Sequence, residues 1–384
     1  MASFGLYVHI PYCDSKCPYC DFNSYAVPRW PEADYTAALC RELRTRAADP
    51  VWAGRTVASV FFGGGTPSLF DPDSIGAILG CAGDLWPLAA DVEITLEANP
   101  GTVDEARLAG FRAAGINRLS FGVQSFHERH LRTLGRIHSA GQAEDALGLA
   151  RAAGFTDVNL DLIFALPDQR MDEWRADLER ACLQGTTHIS AYNLTYEEGT
   201  AFFRWRAERR LVPLDEDSEF EMFQLTRSFL AERGFAAYEI SNFALPGHAC
   251  RHNLNYWQGG DYLGVGAGAH SFVRGAQARW GRRWANRKSP VAYLQGVAND
   301  GLAEASSELP DARQAAGEFV FLNLRCTDGM PLDAFRERFD VSFAELFPHV
   351  EELERDGLLV CDRDRVRLSP AGLLVADSIF AGFL

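Results

Sequence analysis

The chain has 384 residues, 47% of them apolar, which suits one large α/β domain or a large domain with a small companion. With 37 basic against 52 acidic side chains, the net charge of −15 disfavours nucleic acid and anionic surfaces as partners, except at a local basic patch. No run approaches the ~18 uninterrupted apolar residues of a membrane span, and no basic region followed by an apolar run marks a signal peptide. The nine cysteines are odd in number and mostly scattered, which fits a reducing cytoplasm better than a disulfide framework.

Along the chain, short β-rich runs alternate with helical stretches. The runs are Leu6–Ile10, Val57–Phe62, Val92–Leu96, Asn117–Gly122, Asp157–Ile163 and His188–Leu194. Between them, Tyr35–Ala47, Asp104–Ala114, Ala140–Ala153 and Met171–Cys182 carry apolar residues at three- and four-residue spacing. This alternation predicts parallel strands with right-handed crossovers. The expected fold class is α/β, a partial (β/α)6 barrel over residues 1–240, with an open doubly wound sheet as its rival. Glu216–Arg233 reads as a further helix, with a strand around Tyr238–Ile240. Residues 241–305 read as an irregular binding segment rich in Gly, His, Asn and Trp. Residues 306–384 read as a small α+β unit resembling a winged helix. Its helices are expected at Asp311–Leu324, Pro331–Phe339 and Phe343–Asp356, followed by a hairpin and a closing helix at Gly372–Phe383. It has no basic recognition helix, so protein contact or a lid role is expected rather than DNA binding.

Cys13, Cys17 and Cys20 form a C-x3-C-x2-C cluster directly after the first predicted strand. Structural zinc normally takes four ligands, usually as two separated pairs, and no second pair is present. An iron–sulfur cube held by three thiolates, with its fourth iron open to a small molecule, fits better. Zinc or chance clustering is the plainer alternative. The next strand ends in "FFGGGTPS", where Gly64 and Gly65 permit close backbone approach and Thr66 follows. The third ends at Glu97, the fourth at Gln124, and the fifth carries Asp161 inside an apolar run. Any one of these has an ordinary structural explanation. In a β/α barrel, chemistry collects at the C-terminal strand ends, so together they describe one mouth. S-adenosylmethionine suits it, having an amine and carboxylate to chelate iron, a ribose diol and an adenine.

These features resemble the radical S-adenosylmethionine superfamily. The phrases "YVHIPYC", "PYCDFNSY", "LEANPGT", "LSFGVQSF", "DLIFALP", "YEISNFA" and "RHNLNYW" resemble its coproporphyrinogen oxidase-like branch, and within it the haem-chaperone members most. The resemblance spans nearly the whole chain. It implies that Cys13, Cys17 and Cys20 ligate a [4Fe–4S] cluster. It further implies that Tyr7, Tyr19, Gly64 and Glu97 contact S-adenosylmethionine, and that Gly65, Thr66, Gln124, Arg136 and Asp161 match a second position for that cofactor. His252, Tyr256 and Trp257, in "HNLNYW", match a haem-binding signature, with His248, His270 and Cys250 as rival iron ligands.

Two functions compete within the branch. One is a chaperone that binds haem as cargo and passes it to apo-haem proteins. The other is an oxygen-independent coproporphyrinogen III dehydrogenase, in which a 5′-deoxyadenosyl radical initiates decarboxylation of propionates to vinyls. The dehydrogenases carry a further cysteine two residues past the third cluster ligand, where this chain has Phe22, and an extension before the first strand, which here begins almost at once. Both departures favour the chaperone, a non-enzymatic role. The expected state is a monomer or a cluster-dependent dimer, cytoplasmic. The basic segment Arg279–Lys288 is a candidate for pairing with haem propionates or for peripheral contact with a membrane, and equally for a solvated loop.

Overall fold

Valine, isoleucine, leucine and phenylalanine fill the six β-runs so densely that they suit strands covered on both faces. In the computed structural model, which describes residues 2–275 and 278–384, they are β1 (Ser3–Ile10), β2 (Thr56–Gly64), β3 (Leu88–Ala98), β4 (Arg118–Gln124), β5 (Asp157–Phe164) and β6 (His188–Asn193). All six are parallel, and each lies beside the next in sequence: Leu6 opposite Val60, Val60 opposite Ile94, Leu96 opposite Leu119, Leu119 opposite Val158 and Leu160 opposite Ile189. A doubly wound sheet would reverse direction at a switch point. This order never reverses, so the barrel reading holds and its rival fails.

Helices Glu32–Ala47, Pro72–Leu85, Glu105–Ala114, Ala140–Ala152 and Met171–Leu183 make the crossovers. The core they bury against the sheet includes Leu39, Ile78, Phe111, Leu147 and Trp174. The barrel is partial. Beyond β6 the sheet continues into antiparallel β7 (Asn242–Ala244). Beyond β1 it continues into parallel β8 (Tyr262–Val265) and then antiparallel β9 (His270–Gly275), β10 (Ala278–Asn286) and β11 (Glu304–Glu308).

Three expectations are corrected here. Residues 241–305 are not irregular, since they build this sheet extension and the short helix Arg251–Trp257. Their glycines serve close packing. A Cβ on Gly264 would lie 2.0 Å from the His270 carbonyl oxygen, and one on Gly281, at φ +111°, 2.2 Å from the Phe272 ring. The strand expected at Tyr238–Ile240 falls at Ala236–Ala237, paired with β7. The basic segment is mostly strand β10, not a loop. Its pairing with β11 sets Arg282 2.7 Å from Glu304, and the helix Ala312–Leu324 brings Glu318 to 2.5 Å from Arg283. Arg282 and Arg283 are thereby neutralised, while Arg279, Arg287 and Lys288 have no carboxylate partner among the described residues.

A second core, containing Val320, Phe335, Phe347, Leu359 and Phe380, gathers helices Ala312–Leu324 and Leu332–Phe339 with the hairpin strands Leu359–Cys361 and Arg365–Leu368. The helix expected at Phe343–Asp356 is broken by Pro348 into Phe343–Leu346 and Val350–Arg355. The closing helix shortens to Ala376–Ala381, after a 3-10 turn at Gly372–Val375. The result is a partial barrel joined to a small winged-helix-like unit.

Candidate cofactor-binding site

Immediately after β1 the chain forms a loop carrying Cys13, Cys17 and Cys20, pinned by Lys16 Nζ, which donates to the Phe22 carbonyl and the Ser24 hydroxyl, each at 2.6 Å. All three thiols are partly accessible. Two of them receive donors from other strand ends: Thr66 Oγ1 lies 3.5 Å from Cys13 Sγ, and Arg136 Nη1 lies 3.6 Å from Cys17 Sγ. Ser24 Oγ sits 4.0 Å from Cys20 Sγ. Donors aimed at sulfur stabilise thiolate, the form that binds metal. Among the described residues no three such groups close around a single metal ion. Three partly accessible thiols in one eight-residue loop are instead a donor set that suits an iron–sulfur cluster.

The glycine run fits against this loop. Gly65 N–H donates to the Ile10 carbonyl and Thr66 N–H to the Tyr12 carbonyl, both at 2.8 Å. A Cβ on Gly65 would lie 2.6 Å from the Tyr12 oxygen. Gly64 has φ +112°, a conformation that L side chains avoid. Its N–H donates to Glu97 Oε2 at 3.2 Å.

Glu97 has no basic partner among the described residues. Burial, together with the nearby Asp161 charge, pushes its carboxyl up to about 8, against the Gly64 hydrogen bond. Burial raises Asp161 as well, although it accepts from Ser120 Oγ at 3.1 Å and Asn159 Nδ2 at 2.9 Å. Two desolvated acids in one mouth are a ready counter-charge for a cationic ligand. Gln124 ends β4 at φ +69°, unusual outside glycine, which turns the chain at the mouth. Arg136 is half-buried at the mouth. It donates to the Gly122 carbonyl at 2.6 Å and to Asn99 Oδ1 as well as to Cys17.

These groups surround a cavity of about 940 Å3. The three cysteines, Tyr19, Gly64, Gly65, Thr66, Glu97, Gln124, Arg136 and Asp161 all line it. Sequence reasoning missed Asn99, Ser120 and Tyr192 in its wall, and Asn159 beneath it. It also missed Leu373–Ser378, which bring the C-terminal unit onto its rim. The available signal was period-2 polarity: Arg118, Ser120 and Gly122 in β4, Asn159 and Asp161 in β5, and His188, Ser190 and Tyr192 in β6 all face one side.

Tyr7 lies instead in a second cavity of about 580 Å3, which shares Gly64, Glu97 and Phe22 with the first. Tyr256 and Trp257 also line it. His252 does not. It is 1% exposed and stacks on Phe61 with ring centroids 5.2 Å apart. Its Nδ1 is 2.8 Å from Ser59 Oγ and its Nε2 is 2.9 Å from Tyr256 Oη. The expectation that His252 offers a free nitrogen to iron is corrected: both of its nitrogens are engaged inside the barrel. Its rivals His248 and Cys250 are not on this cavity either. His248 approaches Asp157, and Cys250 is fully buried against Glu93.

A parallel barrel with a three-cysteine loop and a glycine-rich second strand end defines a radical S-adenosylmethionine protein. In agreement, residues 7–181 match the Radical SAM superfamily and residues 311–375 the HemN C-terminal domain. The chain is 38% identical to the heme chaperone HemW of Escherichia coli, over 99% of this chain and 98% of that protein. It is 38% identical to HemW of Mycobacterium tuberculosis, over 98% and 93%. The structure of coproporphyrinogen III oxidase (HemN) from Escherichia coli superposes with a TM-score of 0.84 at 26% identity, covering all of this chain and 90% of that one. The chain belongs to the HemW family of the radical SAM superfamily, and membership implies an iron–sulfur cluster and S-adenosylmethionine as cofactors. No helix among the described residues is long and apolar enough to cross a membrane.

Proposed function

We propose that this protein is a haem chaperone that holds a [4Fe–4S] cluster and S-adenosylmethionine in the barrel mouth and passes haem to apo-haem proteins. The full-length likeness to HemW carries this reading. Phe22 supports it, standing 63% exposed on the rim of both cavities where the dehydrogenases have a further cysteine.

Cys13, Cys17 and Cys20 would hold the cluster, with Thr66 and Arg136 donating to two of the sulfurs. When bound, such a cluster supplies an iron site for the amino acid end of the cofactor and an electron source beside its sulfonium. Glu97 and Asp161 would offset the positive charge, and Gly64 and Gly65 would let the ligand approach the backbone. Gln124 and Tyr19 complete the wall. The C-terminal rim at Leu373–Ser378 and the exposed Leu374 and Val375 would meet the recipient protein.

The HemN likeness favours a second reading, propionate decarboxylation of coproporphyrinogen. One anaerobic experiment separates the two. Protein with a reconstituted cluster is given S-adenosylmethionine, a reductant, and either haem or coproporphyrinogen III. Stable haem uptake, with transfer to an apo-haem protein and no vinyl product, is expected. Vinyl-bearing porphyrin formed over many turnovers would establish the dehydrogenase instead.

A further inference from the structure

Resting on the haem-chaperone reading, the geometry points to the second cavity as the haem pocket, with His270 as the axial ligand and Arg338 and Lys288 as the partners of the propionates.

Histidines decide the ligand. Three lie in or against this cavity, and two are committed. His9 has Nδ1 3.0 Å from Tyr7 Oη and Nε2 2.9 Å from the Asn23 carbonyl, and His252 is held by Ser59 and Tyr256. His270, at the start of β9, lines the cavity and is exposed, and its ring makes no hydrogen bond or ion pair among the described residues. Partial burial and the charges of Lys288 and Arg283 hold its imidazole below the usual range, so at neutral pH it is unprotonated and able to bind iron.

The cations decide the orientation. Arg338 reaches the cavity from the C-terminal unit. It lies over the Phe319 ring at 4.8 Å and donates to the Gly259 carbonyl at 3.1 Å, and it has no carboxylate partner among the described residues. Lys288 likewise has none. Two carboxylates line the cavity: Glu318, already paired with Arg283 at 2.5 Å, and Glu97, on the wall shared with the first cavity, where it accepts from Gly64 N–H. Two cations without a carboxylate partner thus face a space in which Tyr256, Trp257, Trp280 and Phe319 supply flat aromatic walls. That combination suits a flat apolar dianion. At about 580 Å3 the cavity is within the ~300–1,000 Å3 range of cofactor pockets. Because Gly64 and Glu97 form a common wall, the cargo would sit directly against the S-adenosylmethionine site.

The test is a titration of full-length, cluster-loaded protein with hemin, followed by visible absorption and by magnetic circular dichroism of the haem. His270→Ala is expected to shift the Soret band and weaken binding about tenfold or more. In His270→Gly, added imidazole is expected to restore the wild-type spectrum. Arg338→Gln is expected to weaken binding about tenfold with the spectrum unchanged. Hemin that fails to bind wild-type protein sinks the chaperone reading itself. Wild-type binding with an unaltered spectrum and affinity in His270→Ala overturns only this assignment. So does a lost axial signature in a folded His252→Gln variant.

Discussion

Arg136 donates to the sulfur of Cys17 at 3.6 Å, across 119 residues of sequence. The same guanidinium also ties down Asn99 and the Gly122 carbonyl, so the loop after β4 and the loop after β1 are held as one unit. A cation donating to a cluster thiolate favours the more negative, reduced cluster. Arg136→Gln is therefore expected to make a reconstituted cluster harder to reduce. Loss of one charge-assisted hydrogen bond of about 1.5 kcal/mol corresponds to a shift on the order of 60 mV to more negative potential for a one-electron couple. Potentiometric titration followed by electron paramagnetic resonance reads this directly, and an unchanged or more positive potential counts against the contact.

Glu97 is a destabilised acid waiting for a positive charge. With its carboxyl pushed up to about 8, it is largely protonated at pH 7 in the free protein. A cationic ligand beside it favours the ionised form, so binding expels a proton. Calorimetric titration of S-adenosylmethionine in buffers of different ionisation enthalpy should show net proton release near pH 7, diminished in Glu97→Gln. Equal heats in all buffers would remove the electrostatic role assigned to this residue.

Stability carries the same signature with its own sign. A carboxyl that titrates near 8 when folded and near 4.5 when unfolded costs stability progressively as pH rises between those values. Glu97→Gln can keep the acceptor for Gly64 N–H while removing the charge. The ligand-free variant should melt higher than wild type at pH 8 and show little such gain at pH 5. A variant that melts lower at pH 8 would mean that Glu97 is stabilised by a partner.

Gly64 shows where the glycine run is obligatory. A Cβ there would stand 2.4 Å from the His9 ring, and that ring, bonded at both nitrogens, cannot step aside. Overpacking and the left-handed backbone together predict that Gly64→Ala loses about 3 kcal/mol, seen as an earlier urea midpoint. Gly54 also has positive φ, +69°, but faces open space. Gly54→Ala should lose only about 1 kcal/mol. Equal losses at the two sites would show that backbone strain alone matters.

The sequence made the barrel strands legible because their apolar runs are dense and their order is regular. It also made the cluster loop legible, because three thiols within eight residues have few uses. The fate of His252 was hidden. A motif gives the residues but not which way a ring turns, and here the short helix Arg251–Trp257 carries it inward, its backbone N–H held by Glu93 of β3 at 3.0 Å. The basic segment misled for a related reason. Glu304 and Glu318 lie 22 and 35 residues away from Arg282 and Arg283, the arginines they neutralise, distances closed only by the pairing of β10 with β11 and by the packing of helix Ala312–Leu324 beside β10. Lumen polarity, by contrast, was present as an alternation of single residues that dense apolar neighbours obscure.

His252 yields the last prediction. Burial depresses its imidazole to about 3, with the Arg118 charge adding to the effect, so the folded protein keeps it neutral while the unfolded chain protonates it near 6.5. The unfolded state then binds more protons between those two values, and stability falls as pH drops through that window, by up to about 1.4 kcal/mol per pH unit from this residue alone. His252→Gln should be less stable than wild type at pH 7 by about 2 kcal/mol, because buried hydrogen bonds are lost. Between pH 6.5 and 4.5 the gap should narrow, since glutamine has no proton to take up. Glu97 acts with the opposite sign but equally in both proteins, so it cancels in the difference. Urea unfolding of the pair across that range measures the gap, and a gap that stays constant would mean the ring is not held neutral in the barrel.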